Sequence, residues 1–198
     1  TLPTDTPSIT PGSIDTAEQA GGLTLVPVLT GTQSPDFALV ILDEQGRTVW
    51  AWRPAATGYP SGFVTRAAFA RDGRSIWYNS HASSADTEGT WFQLGFDGQG
   101  ISPRSGNGVH TDFVEMQGER MAVLTWEIRA FGDQRLLGDR VVIVEADGSE
   151  TDLWGSFDEI PVDLSNRYTT GFYPSDPTVG DWSHVNGINW DAEADDLL

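Results

Sequence analysis

Two stretches of the sequence decide the fold, FARDGRSIWY at residues 69–78 and FVEMQGERMAVL at residues 113–124. Each stretch begins with a phenylalanine, passes through a turn that contains glycine and ends in an apolar segment. The two phenylalanines, Phe69 and Phe113, are 44 residues apart. A repeat of about 40 to 50 residues that contains short strands is typical of the blades of a β-propeller. The repeat therefore predicts an all-β protein of the propeller type.

Short apolar segments continue this pattern on both sides of the two stretches. They are rich in the β-branched and aromatic residues that favour strands. The segments are LTLVPVL, FALVILD, RTVWAW, SIWYNS, TWFQLGF, MAVLTW and RVVIVEA. Turn pairs such as Asp72-Gly73 and Asp147-Gly148 separate them, and these residue types close tight hairpins. Because no segment has a helical pattern, we expect an antiparallel meander.

The chain divides into a short leading segment and a folded domain. Residues 1–22 are rich in Thr, Pro, Ser and Gly and predict a flexible tether. Residues 23–198 predict a partial β-propeller of about three blades and the start of a fourth. The stretch at about residues 155–180 interrupts the repeat and predicts an insertion loop, either over the channel or packed on the surface. We expect the remaining blades to come from the same or another chain, because each blade buries its face against the next.

Composition limits the function and the location of the protein. The formal net charge is -18, and all eleven basic residues are arginines. Such a charge argues against nucleic acid and anionic membranes as partners. No apolar run approaches the roughly 18 residues of a transmembrane segment, and the absence of cysteine excludes disulfides and thiolate catalysis. Together with the tether and a first residue that is not Met, this composition predicts an exported protein that is periplasmic, extracellular or surface-tethered.

The histidines are the candidate catalytic residues. The segment HVNGINWD, which begins at His184, aligns with HTDFVE, which begins at His110. Equivalent positions on successive propeller blades converge on the central channel, so His110 and His184 would face one cavity and suit acid–base or nucleophilic chemistry. The alternative is that each histidine caps a strand through a backbone hydrogen bond. For His81, which follows the strand segment SIWYNS, the structural interpretation is favoured over substrate binding.

The acidic stretch DAEADD at residues 191–196 raises the question of a metal site. Its alternating carboxylates resemble oxygen ligands for calcium, but the stretch lacks the central glycine and distal glutamate of an EF-hand loop. An acidic hairpin turn is therefore favoured over a calcium site. Three scattered histidines do not indicate a transition-metal site either.

Three segments resemble the bacterial arylsulfotransferases. They are GVHTDF at residues 108–113, GDRVVIVEADGSETDLW at residues 138–154 and DWSHVNGINWDAEADDLL at residues 181–198. Members of that family are β-propeller enzymes that transfer a sulfuryl group from one phenol to another without the cofactor PAPS. The resemblance implies a complete propeller of six blades, small phenolic sulfate and phenol substrates, and no cofactor.

The resemblance also assigns roles to individual residues. It implies that His110 and His184 are active-site histidines and that Asn186 is the amide that accompanies the second. Asp112, Asn186 and His81 are predicted to bind substrate. Thr111 stands where the family has a second histidine, so only one imidazole remains in that element.

Two further family residues would lie outside this sequence. The family's active-site arginine would come four residues beyond Leu198, and the nucleophilic histidine belongs to a later blade. We therefore expect a sulfuryl transferase whose nucleophile lies outside this chain. The alternative is a non-catalytic propeller that acts as a binding or structural module of an extracellular assembly.

Overall fold

A computed structural model describes residues 22–30, 36–53, 64–80, 88–165, 169–170, 176 and 178–197. This part of the chain contains fifteen strands and one four-residue helix, and the strands form four sheets. The predicted all-β class is confirmed. His81, nearly all of the predicted tether and much of the predicted insertion loop lie outside the described residues.

The first sheet is a three-stranded antiparallel meander of β1 (Thr24–Thr30), β2 (Asp36–Leu42) and β3 (Thr48–Trp52). Its central strand is buried throughout residues 37–41, as the continuous apolar run FALVI predicts. Asp43 closes the turn between β2 and β3 by accepting hydrogen bonds from the backbone N–H groups of Gln45 and Arg47.

The second sheet is a four-stranded antiparallel meander. It contains β4 (Ala67–Phe69), β5 (Ser75–Ser80), β6 (Glu88–Gly95) and β7 (Gly100–Asn107) in that spatial order. Gly73 and Gly98 have φ values of 66° and 80° in its hairpin turns. The predicted Asp-Gly turns are therefore confirmed, because these positions need the left-handed region that glycine tolerates.

The third sheet carries most of the candidate site. Its meander consists of β8 (Val109–Glu115), β9 (Met121–Phe131), β10 (Gln134–Val144) and β11 (Glu150–Gly155). The helix α1 (Ser156–Glu159) follows β11 directly. Two short strands, β12 (Thr169–Thr170) and β13 (Val179–Asp181), extend the sheet.

The strand β10 shares one of its edges between two partners. Residues 135–137 pair with β13 in parallel, and residues 140–144 pair with β11 in antiparallel orientation. Gly138 and Asp139 lie between these two ladders, at a position that we call the seam. The other edge of β10 pairs with β9 along its whole length.

The final described residues form a short hairpin. It consists of β14 (Trp190–Asp191) and β15 (Asp196–Leu197). Asp191 accepts hydrogen bonds from the backbone N–H groups of Glu193 and Ala194. The acidic stretch thus forms a hairpin whose leading carboxylate caps its own turn.

Neighbouring sheets share apolar cores in chain order. The first and second sheets bury Phe37, Trp52 and Tyr78 together, and the second and third bury Trp91 and Phe113. The segment before β14 adds Ile188 to a core with Leu124 and Ile143 of the third sheet. No helix in the described part of the chain is long and apolar enough to cross a membrane.

Candidate functional site

The structure brings His110 and His184 to one cleft, although they are 74 residues apart in the sequence. The cleft has an empty volume of about 300 Å³, which includes space open to solvent. Its lining residues come from the third sheet and from the segment that follows β13. They are His110, Thr111, Trp126, Asp139, Asp181, His184, Val185 and Asn186.

His110 lies at the buried end of the cleft, with only 2% of its side chain exposed. Its Nε2 is 3.0 Å from Oδ1 of Asp139, and its Nδ1 is 2.8 Å from Oγ1 of Thr111. The ring stacks on Trp126, with the centroids 4.9 Å apart and the planes at 17°. Both ring nitrogens and one ring face are therefore engaged, so the orientation of this imidazole is fixed.

Asp139 is buried, and polar groups contact both of its carboxylate oxygens. Besides its contact with His110, it accepts hydrogen bonds from Val185 N at 2.9 Å and Ser183 Oγ at 2.5 Å through Oδ2. Burial alone raises the pKa of Asp139, but the bonds from His110, Ser183 and Val185 outweigh it and hold the pKa below its ordinary value. The carboxylate is therefore an anion beneath the cleft.

The seam in β10 explains how Asp139 reaches this position. Its backbone N–H donates to the hydroxyls of Ser156 and Ser183, both at 3.0 Å, instead of to a neighbouring strand. A Cβ on Gly138 would lie 2.5 Å from a ring carbon of Phe157 and 2.6 Å from the hydroxyl of Ser156. Glycine at this position thus allows α1 to pack against β10.

His184 occupies the exposed end of the cleft, with 37% of its side chain accessible. Its backbone has a φ of 50°, and its Nδ1 is bonded to Oδ2 of Asp181 three residues earlier. Burial raises the pKa of Asp181 above its ordinary value, and the hydrogen bond with His184 offsets only part of this effect. The pair joins a buried carboxyl group to an accessible imidazole.

The other predicted site residues have different positions. Asn186 lines the cleft and donates from Nδ2 to the carbonyl of His184 at 3.2 Å. Asp112 is buried, and its carboxylate contacts Arg66 Nε at 2.9 Å and accepts from Ile188 N at 3.0 Å. The structure therefore gathers both predicted catalytic histidines and Asn186, whereas Asp112 anchors the end of the same segment away from the cleft lining.

Comparison with known proteins assigns the family. The family model described as Arylsulfotransferase (ASST) matches residues 13–198, which is most of the chain. The chain belongs to the arylsulfotransferase family. The family resemblance predicted from the sequence is confirmed. No curated protein and no solved structure matches the chain.

Two carboxylates of the cleft were not predicted from the sequence. Asp181 could have been found, because the spacing Asp-x-x-His places it three residues before His184. Asp139 carried no such signal, because it is 29 residues from His110 and 46 residues from Val185. Its neighbours Gly138 and Arg140 made it resemble an ordinary turn residue at the start of a strand.

The contacts of Asp139 and Thr111 define the donors and acceptors around His110. If the hydrogen of His110 is on Nε2, it points toward the anionic Asp139, and Nδ1 is left to accept a hydrogen bond from the hydroxyl of Thr111. The carboxylate of Asp139 would repel a sulfate ester in the cleft unless nearby hydrogen-bond donors offset its charge. Among the described residues, no group of three or more His, Asp or Glu is arranged to hold a metal ion.

Proposed function

We propose that this protein transfers a sulfuryl group from a phenolic sulfate ester to a phenol acceptor through a histidine intermediate. The nucleophilic histidine is supplied from outside this chain. One observation carries the proposal: His110 and His184 come from distant segments, line one cleft and are each held by a buried carboxyl group. Family membership gives this arrangement its chemistry.

The proposal includes a β-propeller in which the sheets are successive blades. The second sheet and the strands β8 to β11 each form a four-stranded antiparallel meander, as a blade requires. Their close packing supports this arrangement, because a Cβ on Gly89 would lie 2.3 Å from the carbonyl oxygen of Val109. The hairpin of β14 and β15 would begin the fourth blade, and further chain would complete the ring.

The reaction has two balanced steps. In the first, an imidazole nitrogen attacks the sulfur of the donor, a nitrogen–sulfur bond forms and the bond from sulfur to the phenolic oxygen breaks. The leaving oxygen takes the electron pair and accepts a proton. In the second step, the oxygen of the acceptor phenol attacks the same sulfur, the nitrogen–sulfur bond breaks and the acceptor gives up its proton.

His184 is the residue that we assign to this proton transfer. Its ring is accessible from the cleft, and Asp181 fixes Nδ1 and therefore the ring plane. A positioned general acid or base of this kind contributes about 10² to 10⁴-fold to a rate. Protonated His184 also offsets the charge of Asp181, so that a sulfate ester can approach.

Asn186 and His110 have supporting roles in the proposal. The amide of Asn186 lines the cleft, where it can donate to an oxygen of the substrate. His110 is enclosed and both of its ring nitrogens are engaged, so we assign it to holding the buried end of the cleft in a fixed shape. Substrate binding by Asp112 and His81 stays a prediction, and the contacts of Asp112 favour an anchoring role instead.

Export is the location that we infer. It rests on the composition of residues 1–22, which suits an extended tether, and on the strongly acidic character of the chain. Secretion of the full-length protein with an intact tether would be tested by fractionating the cells that produce it.

The activity is tested by incubating the full-length protein with 4-nitrophenyl sulfate and a phenol acceptor. We expect release of 4-nitrophenolate that depends on the acceptor, and a kcat lower by about 10² to 10⁴-fold in His184→Asn. Asparagine is chosen because it tolerates the left-handed backbone of this position. Asp147→Asn, a change in an exposed turn, is the control and should keep parental activity.

Two outcomes would contradict the proposal. A full-length protein that releases no 4-nitrophenolate above buffer would favour the binding module over the transferase. Parental activity in His184→Asn would leave the transferase in place but remove His184 from proton transfer.

A further inference from the structure

We propose that Asp139 is a positioning residue shared by the two histidines of the cleft. Oδ1 fixes the tautomer of His110, and Oδ2 holds the segment that carries His184. The geometric part of this inference stands on the structure alone. Its consequence for catalysis rests on the proposed function, in which His184 transfers protons and His110 fixes the shape of the cleft.

The first half of the inference follows from the surroundings of His110. Its Nε2 is 3.0 Å from Oδ1 of Asp139, and both side chains are almost completely buried. An anionic oxygen at this distance favours the ring tautomer with hydrogen on Nε2, because that hydrogen points toward the negative charge. The hydroxyl of Thr111 then donates to Nδ1 at 2.8 Å. Asp139 therefore determines the tautomer through Nε2, and Thr111 matches it by donating to Nδ1.

The second half follows from the segment that carries His184. Oδ2 of Asp139 accepts hydrogen bonds from Ser183 Oγ and Val185 N, the residues on either side of His184. These two bonds restrain the backbone on both sides of a residue that has a positive φ. The direction of the His184 ring therefore depends on Asp139 as well as on Asp181.

Among the described residues of the cleft, Thr111 also contacts both His110 and Val185, but its single hydroxyl proton can serve only one of them at a time. Asp181 bonds to His184, whereas Asp112 holds the segment farther along, at Ile188 N. Asp112 therefore provides a matched control, because it is also buried and also accepts a backbone N–H from the segment. Variants of the three carboxyl groups can therefore be compared to distinguish an effect on both histidines from an effect on one.

The variant Asp139→Asn keeps the shape of the side chain and changes its donors and acceptors. The single oxygen of asparagine can still accept from Ser183 and Val185, but the amide nitrogen then faces His110 and donates. Nε2 of His110 must then become an acceptor, so the ring proton moves to Nδ1. The hydroxyl of Thr111 can accommodate this by accepting from Nδ1 and turning its own proton toward the carbonyl of Val185, 3.4 Å away.

The experiment is long-range proton–nitrogen NMR of the full-length protein with ¹⁵N-labelled histidine, with peaks assigned by single histidine variants. We expect the hydrogen of neutral His110 on Nε2 in the parent protein and on Nδ1 in Asp139→Asn. Asp112→Asn and Asp181→Asn should both leave the His110 tautomer unchanged. Hydrogen on Nδ1 in the parent, or an unchanged tautomer in Asp139→Asn, would overturn the first half of the inference.

The variant Ser183→Ala tests whether Oδ2 of Asp139 restrains the segment that carries His184. It can also be used if Asp139→Asn does not fold. It removes one bond to Oδ2 and leaves the contact of Oδ1 with His110. We expect shifted His184 resonances and an unchanged His110 tautomer. Unchanged His184 resonances in both Ser183→Ala and Asp139→Asn would overturn the claim that Asp139 restrains this histidine.

Kinetic measurements connect the inference with the reaction. We expect kcat to fall by about 10²-fold in Asp139→Asn with a much smaller change in KM, because the changed hydrogen bonds around Asp139 disturb the orientation of the groups that act in the transition state. Failure of the NMR prediction contradicts the positioning role, whereas absence of activity in the parent protein contradicts the proposed function. A changed tautomer with parental kcat would show that positioning by Asp139 has no part in catalysis.

Discussion

The two histidine–carboxyl pairs of the cleft consist of the same groups in opposite surroundings. His110 and Asp139 are both buried, whereas His184 is 37% exposed above a buried Asp181. The pKa of Asp139 lies below its ordinary value because several donors surround it, whereas that of Asp181 is raised because burial outweighs its one strong partner. The buried pair therefore has a fixed geometry, whereas the imidazole of the exposed pair is accessible to a ligand.

The largest effect on stability that we expect comes from removing the buried imidazole. His110→Ala leaves the carboxylate of Asp139 buried without its main partner, which costs about 3 to 5 kcal/mol in the free energy of unfolding. Urea denaturation followed by tryptophan fluorescence measures this loss. A smaller loss of unfolding free energy in His110→Ala than in His184→Ala would contradict the view that the buried pair contributes more to stability.

A smaller effect is expected from crowding the seam beside the buried pair. Gly138→Ala places a methyl group against Phe157 and Ser156 and should destabilise the protein by about 1 to 3 kcal/mol. Gly187→Ala is the control, because its Cβ would lie 3.7 Å from Asp112 and make ordinary contact. Equal denaturation midpoints for the two variants would mean that α1 does not need a glycine at position 138.

Removing the exposed imidazole should change stability least. The pair of His184 with Asp181 is partly solvated on the histidine side, so His184→Ala should cost less than about 1 kcal/mol by the same urea assay. This variant is nevertheless expected to lose most of its activity. A large loss of stability would indicate that the pair is structural and not a proton-transfer device.

The pH dependence of stability should differ in sign between the two carboxyl groups. The lowered pKa of Asp139 gives stability that is present above its unfolded pKa of about 3.9 and is lost as pH falls through its folded pKa. The raised pKa of Asp181 has the opposite effect on stability. Its contribution is present below its unfolded pKa of about 3.9 and is lost as pH rises through its folded pKa.

Denaturation of the parent and the two asparagine variants between about pH 2 and pH 7 tests these signs. Asp139→Asn should flatten the acid side of the stability curve, and Asp181→Asn should remove the decline toward neutral pH. The same change of slope in both variants would contradict the assignment of opposite pKa shifts.

Local patterns in the sequence predicted the longer apolar strands and the Asp-Gly turns. The apolar run of β2 and the Asp-Gly turns depend on neighbouring residues alone, and the structure confirms both. The strand β7 was missed because its residues Ser102, Pro103 and Gly106 have little preference for strands. Its extended conformation depends on antiparallel pairing with β6.

The candidate site was predictable only where it repeats a pattern. His110 and His184 were found because the residues around them echo each other. Asp139 was not found, because its role depends on the seam, where hydroxyls of Ser156 and Ser183 take the place of a neighbouring strand. A long-range contact of this kind leaves no spacing to read in the sequence.

The divided edge of β10 also bears on how the protein behaves in solution. A strand edge with a continuous row of unpaired amides can recruit a strand from another molecule and start aggregation. Along residues 135–144, β13 and β11 cover this edge in two pieces, and serine hydroxyls take the N–H of Asp139 at the join. The strand that carries the buried carboxylate is thereby protected from edge-to-edge association.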